Sequence, residues 1–311
     1  MTWMKNWQVS FLALAAIWGC SFWWISVGLS ALSPIEVAGG RLMLGALTLL
    51  VVCRASGVRL PRGVQTWRHL AVVALLLNSV PFTLFAFGQT HVSSILAGII
   101  NATTPLAALA VILIAYPEER PTRDRVVGLI VGFLGVLVVL GAWRGLASGE
   151  AIGIAACIGA VACYGVAFPY ARRHLTGTTD SALGLAAGQV LLGAAFLLPV
   201  LAAQAVLAPP QRGAVTPSAV AGMLALGALG SGLAYVLNFR VIAAAGAATA
   251  SAVTYLTPVV AVAVGLAFLD ERVTANQVLG ALIVLAGIAA SQGRFRRPAE
   301  QGTRVVTSSG R

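Results

Sequence analysis

Apolar residues run along this chain in blocks of roughly twenty, separated by short breaks carrying proline, glycine or charge. Ten such blocks occur, at about 8–29, 34–53, 69–89, 92–115, 125–142, 151–171, 182–207, 218–240, 246–268 and 274–292. At about 1.5 Å per residue, each can cross the roughly 30 Å of hydrocarbon in a bilayer as an α-helix. The blocks are continuously apolar and rich in Leu, Ala and Gly, whereas membrane-spanning strands alternate in polarity and need only about ten residues. The pattern predicts an all-α integral membrane protein with ten transmembrane helices.

The blocks also repeat. GRLMLGALTLL at 40–50 is answered by GQVLLGAAFLL at 188–198, and PLAALAVILIAYPEER at 105–120 by PVVAVAVGLAFLDER at 258–272. Gly128 and Gly280 hold matching places in the helix that follows. Two copies of one helical unit are expected, at 8–142 and 151–292, with a basic tail at 293–311. Five spans per copy is an odd number, so the second copy must enter the membrane upside down. Two inverted five-helix repeats are an arrangement that many secondary transporters share.

Composition agrees: the chain is 59% apolar and 9% charged, with a mean hydropathy of +0.92. The net charge of +11 raises the question of nucleic acid, and the placement of the basic residues answers it. With the N-terminus in the cytoplasm, only Arg144, Arg212 and Arg272 lie outside and Arg41 within a span; the remaining Lys and Arg residues are inside. That bias is the signature of membrane topology with both termini cytoplasmic, so no nucleic-acid partner is implied and the partners are the lipid bilayer and a small-molecule substrate. Lys5 precedes the first apolar block, but the block's length and the lack of a small-residue cleavage site mark an uncleaved helix. Cys20, Cys53, Cys157 and Cys163 have no metal-binding spacing and read as packing residues. No phosphate-cradling GxxxxGK[ST] is present, no nucleotide or other cofactor is implied, and His69, His91 and His174 sit at span ends in different loops.

Candidate chemistry sits in matching places in the two halves. Pro105 and Pro258 each remove a backbone hydrogen bond near mid-span, releasing the carbonyls of Asn101 and Thr254, with Thr103, Thr104, Tyr255 and Thr257 nearby. These carbonyls and hydroxyls either line a cavity or are satisfied locally by the threonines; the two prolines are expected to act as hinges. In the third and eighth spans Asn78 matches Ser231, Phe82 matches Tyr235 and Phe85 matches Asn238. In the first and sixth, Trp18 and Phe22 match Tyr164 and Phe168. Rings mixed with amides and hydroxyls suit a small amphiphilic solute. Trp18, Asn78, Phe82, Asn101, Tyr164, Tyr235, Asn238, Thr254 and Tyr255 are therefore the expected substrate contacts. Arg41, about 10 Å along its helix from the outer end, is the one full charge inside a span and a possible charge site; it could instead reach the interface or pair with Glu36, and its counterpart is Gln189. No Asp or Glu lies near the centre of any span, so no proton relay is visible.

Trp18-Gly19, Pro34, Arg41, Asn101 to Pro105, Glu119-Arg120 and Gly128, repeated in part by Tyr164-Gly165, Pro258, Glu271-Arg272 and Gly280, resemble the EamA group of the drug/metabolite transporter superfamily. Gln189, Leu42 and Pro117 depart from that pattern. The resemblance implies ten helices in two inverted repeats, a central cavity bounded mainly by the first, third, fourth, sixth, eighth and ninth spans, and, as in many bacterial members, export of amino acids or related metabolites across the plasma membrane. The expected activity is alternating access without catalysis. A membrane-embedded enzyme or lipid-handling protein is the alternative, and it would need a polar catalytic set opening sideways to lipid.

Overall fold

Ten helices fill almost all of the computed structural model, which describes residues 7–115, 122–141, 148–175, 178–207, 209, 213–245, 250 and 253–291. They are α1 (Trp7–Leu29), α2 (Pro34–Ala55), α3 (Val64–Gly88), α4 (Ser94–Ala115), α5 (Arg123–Leu140), α6 (Ser148–Leu175), α7 (Ala182–Leu207), α8 (Pro217–Ala245), α9 (Val253–Phe268) and α10 (Ala275–Ser291). There is no strand among the described residues. Seven helices, α1–α4 and α6–α8, are long and apolar enough to cross a membrane. Their outward faces carry exposed residues such as Leu12, Leu47, Val51 and Leu198, a surface stable only against lipid. The chain is an all-helical, multi-pass membrane protein.

Local sequence explains where the helices begin and end. At the start of α2, the Ser33 hydroxyl accepts the Glu36 N–H while Glu36 accepts the Ser33 N–H at 2.9 Å, and Pro34 occupies the first turn, where its missing N–H costs nothing. The Ser93, Thr122 and Thr216 hydroxyls likewise accept a first-turn backbone N–H of α4, α5 and α8. Gly141 ends α5 at φ +57°, a conformation that suits a residue without a Cβ. Several helices outrun their apolar blocks: α3 begins at Val64, α6 continues to Leu175 and α8 to Ala245. Hydropathy reports only the part in hydrocarbon, and the last turn of α6 carries Arg172, Arg173 and His174, which favour a helix C-terminus.

Two helices depart from α geometry. Leu75–Ser79 in α3 and Ala225–Leu233 in α8 are π-helical. In α3 the wide turn runs up to Pro81, which has no N–H to continue the α ladder. In α8 it contains Gly227, Gly230 and Gly232. α4 is interrupted at Ala102 and Thr103, just before Pro105, but α9 runs unbroken through Pro258.

Helix packing is reciprocal between the halves. α1 lies along α9 as α6 lies along the second part of α4, and α2 meets the π segment of α8 as α7 meets that of α3. The most extensive pairing, α5 with α10, depends on glycine: a Cβ at Gly280 would sit 2.7 Å from the Gly135 carbonyl oxygen, and one at Gly287 would sit 2.8 Å from that of Gly128. Nothing larger lets these backbones approach so closely.

Candidate functional site

α2 carries Arg41 into the bundle. Its side chain is buried, its Nε donates to Ser231 Oγ at 2.8 Å, and the guanidinium carbon lies 3.7 Å from the centre of the Phe82 ring. A desolvated cation over an aromatic face gains roughly 2 kcal/mol, which offsets part of the cost of taking the charge out of water. Glu36, the acid closest to it in sequence, serves the α2 cap. Arg41 therefore points inward.

The equivalent residue on α7 is Gln189, also buried, and its Nε2 donates to Asn78 Oδ1 at 2.7 Å and lies 3.4 Å from the Tyr235 hydroxyl. Asn78 is to the first half what Ser231 is to the second, so Arg41–Ser231 and Gln189–Asn78 are the same contact made twice. Both acceptors stand on π segments, a form of helix that recurs at functional sites because it turns side chains out of the regular ladder. Room for each comes from a glycine one turn along the facing helix. A Cβ at Gly45 would lie 2.7 Å from Ser231 Cβ, and one at Gly193 would lie 3.0 Å from Asn78 Cβ.

Aromatic side chains surround the polar pairs. Tyr164 and Tyr235 pack against the cluster that holds Phe82, and Tyr164 also borders the cluster of Phe22 and Phe85. The Phe85 ring is 6.0 Å from Tyr164 and 5.7 Å edge-on from Phe22. Phe168 is half exposed on the outer surface.

Of the sequence-predicted contacts, Asn78, Phe82, Tyr164 and Tyr235 come together, with Arg41. Trp18 packs instead with Leu14, Ala234, Leu237 and Val253, where α1, α8 and α9 meet. Asn101 ends the first part of α4, and the carbonyl that Pro105 releases accepts the Thr104 hydroxyl at 2.7 Å. In α9 the Thr257 hydroxyl donates to the Val253 carbonyl at 3.1 Å, one residue before the Thr254 carbonyl that Pro258 releases. Asn238 and Thr254 are half-buried on α8 and α9, and the Tyr255 side chain lies outside the described residues. Pro258 borders an apolar cavity of about 180 Å³ with Val262, Val273 and Ala281, and none of these belongs to the polar set around Arg41. Glu119, Arg120 and Pro117 also lie outside the described residues.

Two residues escaped the sequence reading of the site: Gln189 and Ser231. The repeat alignment had already matched them to Arg41 and Asn78, and that correspondence was the signal. One expectation needs correction: His69 and His174 stand in helices α3 and α6, not in loops. Their rings stack 4.4 Å apart, with His69 Nδ1 2.8 Å from the Tyr170 hydroxyl, because the start of α3 packs beside the end of α6. Among the described residues, no group of three His, Cys, Asp or Glu side chains is placed to hold a metal.

The sequence of this all-helical membrane bundle has counterparts among known proteins. The pattern of the EamA-like transporter family matches residues 5–141 and again residues 151–291. The Bacillus subtilis (strain 168) protein named "Uncharacterized transporter YoaV" is 22% identical over 93% of this chain and 98% of its own length. Escherichia coli (strain K12) "Uncharacterized inner membrane transporter YedA" is 26% identical over 93% of this chain and 91% of its own. A "Probable terminal-alkyne amino-acid exporter" of Streptantibioticus cattleyicolor is 26% identical over 87% of this chain and 88% of its own. A solved crystal structure superposes with a TM-score of 0.65 over 93% of this chain and 97% of that chain, at 18% identity, and supports the fold alone. The chain belongs to the EamA-like transporter family.

Proposed function

We propose that this protein is a secondary transporter that exports a small metabolite, such as an amino acid or a related amphiphilic compound, from a bacterial cell. Ten spans form two inverted repeats, 8–142 and 151–292, with both termini cytoplasmic. The repeats rock about a mid-membrane cavity and expose it to one side at a time. The observation that carries this reading is the doubled contact, Arg41 with Ser231 and Gln189 with Asn78, in which each half supplies a polar residue to the other half's π segment. A centre built from both halves changes shape when they move, which alternating access requires.

Solute contacts are assigned to Asn78, Phe82, Tyr164 and Tyr235, with Trp18, Asn101, Asn238, Thr254 and Tyr255 as a wider ring entered during the cycle. The interruption of α4 before Pro105 supports bending there; Pro258 would bend α9 only in another state. A lipid-handling or enzymatic role has less support, since the cluster contains no carboxylate or nucleophile–base pair and the matched relatives are named transporters. Flux of labelled amino acids into proteoliposomes, with and without a pH gradient, tests the proposal. Saturable flux that Tyr235→Ala reduces would support it; flux no faster than through protein-free vesicles across the panel would count against it.

A further inference from the structure

We infer that the Arg41 guanidinium is the seat of a solute carboxylate, and that a net-anionic solute is favoured over a zwitterion of the same shape. The inference rests on the transport reading for its setting. Its content comes from the hydrogen bonds that Arg41 does not make.

Only Nε of Arg41 is engaged by protein, through Ser231. Its two terminal nitrogens bond to no described residue, yet neither is sealed away: among the described residues, the buried side-chain nitrogen or oxygen left without a partner is Gln89 Nε2. Both terminal nitrogens therefore keep some exposed surface, although the residue as a whole is only 9% exposed, with its guanidinium over the Phe82 ring. This is the parallel pair of donors that a carboxylate accepts in a two-point contact.

Charge balance selects the ligand class. No carboxylate among the described residues is bonded to Arg41, so the site holds one cation without a counter-ion. Such a charge in a bundle is costly until an anion joins it. The groups around it are neutral, an amide pair and the Tyr235 hydroxyl, with no second cation in the cluster. One cation balances a monocarboxylate and leaves a phosphate dianion over-charged. An α-ammonium finds no carboxylate to pair with here, since the described groups gathered around Arg41 are amides, hydroxyls and rings. The Phe82, Phe85 and Tyr164 rings accept the apolar remainder of the solute.

The test compares 3-phenylpropanoate, its amide and phenylalanine, three probes of one shape and different charge. Binding is read on the purified protein by thermal shift, and counterflow is read in proteoliposomes. Wild-type protein should bind the acid at least about tenfold more tightly than the amide, the size expected for a charge-assisted hydrogen bond, with phenylalanine weaker than the acid. Arg41→Gln, which copies the residue of the other half, should erase the acid–amide difference; Arg41→Lys should keep the preference with weaker binding. Equal binding of acid and amide by the wild type, or a preference that survives Arg41→Gln in protein of unchanged melting temperature, overturns the inference. Saturable flux of the amide or phenylalanine in that case leaves the transport reading standing, and absence of flux for all three removes both.

Discussion

At the scale of the residue, the centre depends on small side chains that make room for polar ones. Gly45 and Gly193 stand one turn beyond Arg41 and Gln189 and receive Ser231 and Asn78. Gly45→Ala or Gly193→Ala would press a methyl group against the facing helix, and overpacking of this kind costs about 1–3 kcal/mol. Each variant is expected to melt lower in detergent than wild type; an unchanged melting curve would show that the helices can part without loss. Ser231→Ala removes the acceptor of the Arg41 Nε–H and is expected to cost about 1–3 kcal/mol, because the donor stays buried. Arg41 and Asn78 were legible as candidates because a charge or amide inside a span is expensive. Gln189 and Ser231 were legible only through the repeat that pairs them with Arg41 and Asn78, and the contacts they make supply the reason. Trp18 shows the converse: its type suited the site, but its helix face turns it into an apolar cluster with α8 and α9.

At the scale of the element, contacts at helix ends and irregular turns join the halves. Glu271, in the segment between α9 and α10, accepts the N–H groups of Ser94 and Ile95 at 2.8 and 3.0 Å, placing a carboxylate from one half on the N-terminus of α4 in the other. The preceding residue, Asp270, holds φ +51°, the strained turn that directs Glu271 there. Glu271→Ala should cost about 0.5–2 kcal/mol, as loss of a helix cap does, and should raise the reactivity of a cysteine placed at Ser94; a reactivity equal to that of the parent would argue against the latch. Pro105→Ala should lower flux more than abundance, and unchanged flux would dismiss bending at that point. The two prolines matched in sequence but not in outcome: α4 is interrupted and α9 is continuous. Threonine hydroxyls that satisfy carbonyls locally cannot be distinguished from cavity-lining ones by spacing alone. Nor do the π turns announce themselves, because Pro81 and the glycines of α8 are equally compatible with a kink.

At the scale of the whole molecule, the family pattern matches the chain twice, at 5–141 and 151–291, and α5 of the first match packs along α10 of the second. The helical membrane architecture was legible because lipid demands long apolar stretches. Which helices meet at the centre was less so: α2 and α7 join α3, α6 and α8 there, although the resemblance pointed mainly to other spans. The most direct test of a central cavity opened to one side at a time is a single cysteine at Phe82, in protein with Cys20, Cys53, Cys157 and Cys163 replaced by alanine. It is treated in oriented vesicles with a membrane-impermeant thiol reagent from each face in turn. Labelling from one face, shifted towards the other by a transported solute, is the expected result; no labelling from either face, or equal and solute-independent labelling from both, would contradict it.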